Sequence, residues 1–123
     1  WFGADAAIMG LGCPELENGK LVRATMGGLF HMPIAPVGSI RNALSVLQDN
    51  GYRIVASSLG DSESMVGFDW PKKTVLVVGN EARGVSRSVL DLADTCLRIP
   101  KYGRGESLNA AMAASVMLSN WRS

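Results

Sequence analysis

The sequence predicts an α/β domain with a mostly parallel sheet and helices on both faces. Three observations lead there. Short apolar runs alternate with amphipathic or alanine-rich segments along the whole chain. The run Thr74-Val75-Leu76-Val77-Val78 is continuous rather than alternating, as in a parallel strand covered on both sides. No repeat, low-complexity tract or linker interrupts the 123 residues, which fits one domain.

The elements follow in order. Ala6 to Met9 is a short apolar run ended by Gly10-Leu11-Gly12, the pattern of a buried strand leaving into a loop. Pro14 to Gly19 has loop composition, and Lys20 to Met26 suits a short helix closed by Gly27-Gly28. Pro33 to Val37 is apolar, but its prolines restrict it to a short or edge strand. Ser39 stands as the N-cap of a helix from Ile40 to about Asp49, with Ile40, Ala43, Leu44 and Leu47 on one face and Asn50-Gly51 as the stop. Arg53 to Ala56 is the next strand, and Ser57 to Glu63 a polar loop. Thr74 to Val78 is the clearest buried strand. Ser86, placed to cap, opens a short helix to Leu92; Thr95 to Ile99 is a further strand; Ser107 to Trp121 is a helix rich in alanine and methionine.

Composition narrows the function classes. With 47% apolar and 19% charged residues, the chain suits a folded domain rather than a disordered one. A chain of this size buries roughly two-thirds of its unfolded surface, enough for a core without staples. No apolar run approaches the ~20 residues of a membrane span, and Ala110 to Leu118 is short and contains Ser115. No secretory pattern is read at the start. The expectation is a cytoplasmic protein with no membrane partner. Cys13 and Cys96 read as reduced thiols, Cys96 as a small buried hydrophobe, with a disulfide as the alternative. One histidine and no Cys/His cluster leave a metal site without ligands. A net charge of +1 does not announce a nucleic-acid binder. Arg98 to Gly105 is locally basic, carrying Arg98, Lys101 and Arg104 without an acidic residue; a solvated loop is the plain alternative. The chain opens on Trp1-Phe2-Gly3-Ala4-Asp5, which suggests sequence upstream of it.

Ligands of open α/β sheets bind beyond the carboxyl ends of the strands. Three segments at such ends stand out. Gly79-Asn80-Glu81-Ala82-Arg83-Gly84-Val85-Ser86 follows the best strand; Gly79 allows close backbone approach of a ligand, and Gly84 allows a tight turn. It is neither a dinucleotide fingerprint nor a P-loop, and a polar turn with Glu81 and Arg83 in solvent is its plain alternative. Arg98-Ile99-Pro100-Lys101-Tyr102-Gly103-Arg104-Gly105-Glu106 leaves a strand into a glycine-containing loop. Ser107-Leu108-Asn109-Ala110-Ala111-Met112-Ala113-Ala114-Ser115 opens a helix whose first backbone N–H groups point outward. Ser107 has the position of an ordinary N-cap there, and the alanines permit close approach of another backbone.

In order and spacing, Gly79-Asn80-Glu81, Gly84-Val85-Ser86, Ile99-Pro100, and Ser107-Leu108-Asn109 with Ala113-Ala114 resemble the second and third motifs of SpoU/TrmH-type RNA ribose 2′-O-methyltransferases, a branch of the SPOUT superfamily. Phe2-Gly3-Ala4-Asp5, Val22 to Gly27 and Leu29-Phe30-His31-Met32-Pro33 extend the resemblance over most of the chain.

The resemblance implies an α/β knot with a deep C-terminal trefoil, which periodicity could not suggest because true knots are nearly absent from proteins. It implies S-adenosyl-L-methionine as methyl donor, an RNA substrate (tRNA or rRNA) and a homodimer. By the same carry-over, Gly79, Ile99 and Leu108 would contact the donor, with Leu59 and Tyr102 near its adenine; Leu59 and Ile99 read equally as core residues. Glu81 would orient active-site groups, and Ser107 and Asn109 would hydrogen-bond around the ribose or a catalytic arginine. Arg83, Lys101 and Arg104 would meet RNA. The family's first motif, with that arginine, lies before a stretch inside which this chain begins, and neither Arg23 nor Arg41 stands in its context. A catalytically silent RNA-binding or assembly module and a base-directed RNA methyltransferase are the competing readings. His31, the one histidine, and Trp1, Trp70 and Trp121 read as packing residues before catalytic or base-stacking ones.

Overall fold

The structure is a computed structural model that describes residues 3–9, 34–60, 62–79, 84–105 and 108–123. The expected helix at Lys20 to Met26, together with Trp1, Cys13 and His31, lies outside the described residues. The chain forms two compact units, Trp1–Ala43 and Leu44–Ser123.

In the first unit, β1 (Ala7–Met9) pairs in parallel with β2 (Ile34–Pro36), in the register Ala7 to Ile34, Ile8 to Ala35 and Met9 to Pro36. Pro36 ends β2, as a residue with no N–H to donate should. Helix α1 (Ile40–Asp49) has the expected bounds. Its cap is Ser39, whose Oγ accepts the Asn42 N–H at 3.2 Å. It stops in a Schellman turn: Gly51, at φ +90°, donates to Gln48 O at 3.1 Å, and Tyr52 donates to Leu47 O at 3.1 Å.

The second unit is built on a four-stranded sheet of β3 (Arg53–Ser57), β4 (Glu63–Ser64), β5 (Thr74–Val77) and β6 (Thr95–Arg98). The order is β4-β6-β3-β5 and every pairing is parallel. The fully buried strand is β3, where Ile54, Val55 and Ala56 are closed to solvent. The continuous run of β5 predicted that role for itself, but β5 lies last in the order and its four residues are half-buried. β-Branching reports that a segment fits a pleated surface; its place in the sheet is set by its neighbours. The two-residue strand β4 interrupts a segment expected to be loop.

Helix α2 (Arg87–Leu92) buries Val89. Ser86 holds its N-cap position but its side chain makes no cap bond, and its Oγ lies 3.4 Å from Ser88 Oγ instead. Helix α3 (Ala110–Arg122) starts later than expected, at a cap supplied by Asn109, whose Oδ1 accepts the Met112 N–H at 2.8 Å. Met117 of α3 enters a core with Val55, Met65 and Leu97, against which Phe68, Trp70, Leu76 and Ile99 pack. Trp70 stacks on Trp121 at 5.4 Å, meets Phe68 edge-on at 5.1 Å, and donates its Nε1–H to Asn120 Oδ1 at 2.8 Å. Both described tryptophans are therefore packing residues, each with its polar demand met or its ring covered.

Asp94 joins three elements at the amino ends of the strands. Its Oδ2 accepts the Ile54 N–H at 2.8 Å and Gln48 Nε2 at 3.1 Å, while its own N–H donates to Ile54 O at 2.8 Å. Among the described residues no helix is long and apolar enough to cross a membrane.

Candidate functional site at the carboxyl edge of the sheet

Because β3, β5 and β6 are parallel neighbours, the segments leaving them emerge at one edge. The register sets Ala56 beside Val77 and Cys96, and Ser57 beside Leu97. Leu59, Gly79 and Ile99, drawn from segments forty residues apart end to end, follow within two residues of their strands. This is where open α/β sheets bind ligands.

The segment after β3 is tightly built. Ser58 donates its N–H to Leu97 O at 2.9 Å, and its Oγ accepts the Gly60 N–H at 3.1 Å. Ser62 Oγ donates to the carbonyls of Ser58 and Gly60, at 3.2 and 3.0 Å. From the end of β6, the Arg98 guanidinium donates to Ser62 O, clasping the loop to the next strand. The turn therefore presents Leu59 outward, 76% exposed, and Leu59 is no core residue. Sequence reasoning gave Arg98 only a local positive charge. Its partner lies 36 residues away, and no local pattern signals such a pair.

After β5, Gly79 is required by the chain itself. A Cβ there would overlap the Gly84 carbonyl carbon and the Val85 nitrogen. The returning backbone of Gly84-Val85 therefore admits no side chain at this position. Gly84, at φ +65°, takes the left-handed conformation that closes this return. Glu81 and Arg83, between the two glycines in sequence, lie outside the described residues.

After β6, Ile99 is half-buried and packs against the core cluster, so one side of it is committed to packing. Lys101 to Gly105 are all exposed, Tyr102 by 92%. Ser107 lies outside the described residues; the cap of α3 is Asn109. With Oδ1 of Asn109 engaged at the cap, its Nδ2 keeps two protons available to an acceptor. Leu108, just before the cap, is 45% exposed. Cys96 is half-buried in β6. No group of three or more acidic, histidine or cysteine residues suited to a metal ion occurs among the described residues.

The edge fits a nucleoside-type cofactor in two respects. Leu59 leaves an apolar side chain open beside it, and the backbone of the loop after β3 is held in place by the bonds above.

Comparisons with known proteins converge. The model of the SpoU rRNA Methylase family matches residues 1–119. The 23S rRNA (guanosine(2553)-2′-O)-methyltransferase RlmP of Bacillus subtilis is 31% identical over 120 residues, which are 98% of this chain and 48% of that protein. An AdoMet-bound rRNA methyltransferase from Sinorhizobium meliloti superposes with a TM-score of 0.90 at 33% identity, over 98% of this chain and 46% of that one. The SpoU methyltransferase AviRb from Streptomyces viridochromogenes, in complex with AdoMet, gives 0.89 at 28% identity, over 98% and 47%. The chain thus spans about half the length of the curated relatives it matches. With an ordered motif set, a parallel sheet whose loops gather at one edge, and a family match over nearly its whole length, the chain belongs to the SpoU rRNA methylase family.

Proposed function

We propose that the protein containing this chain transfers the methyl group of S-adenosyl-L-methionine to a ribose 2′-hydroxyl of tRNA or rRNA in the cytoplasm. The observation that carries the reading is the gathering of Leu59, Gly79 and Ile99 at the carboxyl edge of three adjacent parallel strands, in a chain of this family. The donor supplies an electrophilic methyl carbon on a sulfonium, so the C–S bond breaks as the O–C bond forms and the 2′-hydroxyl proton must leave. Gly79, Ile99 and Leu108 hold the donor, with Leu59 as an apolar contact at its adenine. Glu81 orients polar groups, and Ser107 with Asn109 Nδ2 hydrogen-bonds around the ribose or a catalytic arginine. Positioning the hydroxyl in line is the larger part of the rate, with acid–base help the remainder. Arg83, Lys101 and Arg104 supply positive charge to RNA phosphates in this reading.

A C-terminal trefoil knot and a homodimer complete the proposal. The apolar residues Met112 and Val116 of α3, one turn apart and exposed, support a second copy of the chain packing on that helix.

Calorimetric titration with S-adenosyl-L-methionine and S-adenosylhomocysteine tests the donor site, using the chain and a Leu59→Glu variant. Leu59 is exposed, so that variant keeps the fold. Micromolar binding that the variant weakens by about tenfold or more supports the site. No binding by a folded sample counts against it and favours a silent RNA-binding module. Nuclease digestion of RNA methylated by the full-length protein then separates a 2′-O-methyl product from a base-methylated one.

A further inference from the structure

Resting on the reading of the carboxyl edge as the site of RNA methylation, we propose that the Lys101–Gly105 loop is a docking surface for single-stranded RNA. Tyr102 stacks on an unpaired base, and Lys101 and Arg104 meet the phosphates beside it.

Every other described aromatic has a partner. Trp70 stacks on Trp121 and meets Phe68, and Tyr52 lies under the Lys73 ammonium at 4.7 Å. Tyr102 alone has neither a ring contact nor a hydrogen bond among the described residues, and 92% of it faces solvent. A large ring held in water on a loop has lost the burial that ordinarily favours it, whereas both of its faces remain open to a planar ligand. Lys101 and Arg104 likewise make no ion pair among the described residues, where Arg53 and Arg87 do. A Cβ at Gly103 or Gly105 would meet nothing within 4 Å among the described residues, so those glycines are not demanded by packing and the backbone is open on that side. An aromatic flanked by two unpaired cations on open backbone has the chemistry that single-stranded nucleic acid recognises, stacking plus phosphate charge.

The position strengthens the argument. The loop leaves β6, between β4 and β3, at the edge where the donor would sit. A base stacked on Tyr102 would tether its strand next to that edge. Tyr102 is thereby reassigned, from a contact with the donor's adenine to a contact with substrate.

The test measures two affinities on the same proteins. Fluorescence anisotropy follows binding of labelled oligoadenosine and oligouridine ribonucleotides across a salt series, and calorimetry follows S-adenosylhomocysteine. Tyr102→Ala should weaken RNA binding by about fivefold to a hundredfold, while Tyr102→Phe restores it and nucleoside affinity stays at the wild-type value. Lys101→Ala and Arg104→Ala should each flatten the dependence of log affinity on log salt by about 0.7. Because these side chains are exposed, the variants should melt like the parent. Unchanged RNA affinity in Tyr102→Ala, or no RNA binding by the wild-type chain, overturns the proposal. Loss of S-adenosylhomocysteine affinity with RNA binding intact also overturns it and returns Tyr102 to the donor site. If the wild-type chain binds no nucleoside but the RNA effects hold, the docking surface stands and the methyltransferase reading falls.

Discussion

At Gly79 a side chain is excluded by steric overlap with backbone five and six residues on. The backbone of Gly84-Val85 returns over it, and the shortest contact of an added Cβ would be with backbone, which no rotamer change can relieve. Gly79→Ala should therefore lower the unfolding free energy by about 1–3 kcal/mol, the usual cost of overpacking, and weaken donor binding through the displaced turn. Gly103→Ala, whose Cβ meets nothing, should leave the urea midpoint unchanged. Equal midpoints for the two variants would show that the turn over Gly79 is looser than this contact requires.

Elements in this fold are joined by a few side chains that reach between them. Asp94 is the clearest, because one carboxylate oxygen accepts both the Ile54 N–H of β3 and the amide of Gln48 at the end of α1. The Gln48 amide also donates to Leu92 O at 3.0 Å, closing the last turn of α2. Asp94→Ala leaves the Ile54 N–H without its acceptor, and a part-buried donor so stranded costs about 1–3 kcal/mol. Denaturant melts should show that loss, with hydrogen exchange at Ile54 faster than in the parent. The accompanying Arg53 contact, at 3.7 Å with an exposed guanidinium, adds little in water. On the other side of the sheet, α3 is held by burial of Met117 and by the Trp70–Trp121 stack, so its outward residues are free for other work.

For the whole molecule, the exposed apolar residues Met112 and Val116 offer a face of α3 to a second copy of the chain. If a second copy covers them, Met112→Glu places a charge in the interface and should shift sedimentation from dimer toward monomer, with the far-ultraviolet spectrum unchanged. A wild-type chain sedimenting as a monomer at the concentrations used for binding would remove the interface. The dimer also bears on RNA: a net charge of +1 per chain attracts a polyanion weakly, and two basic loops on one particle would do so better.

Local physics was legible in advance. The bounds of α1, its serine cap and its Gly51 stop depend on residues within five positions of one another, and the structure has them where the pattern placed them. The strands at Ala7, Arg53, Thr74 and Thr95 were visible as apolar runs, and the ordered motifs identified the family. Tertiary structure decided everything that joins distant segments. It made β3 rather than β5 the buried strand, turned Leu59 outward, set the α3 cap at Asn109, brought the Gly84-Val85 backbone over Gly79, paired Trp70 with Trp121 and tied Arg98 to Ser62. The reason is range. Capping and periodicity act over one or two turns of chain, while strand order and cross-chain contacts depend on loop closures of tens of residues that leave no periodic trace.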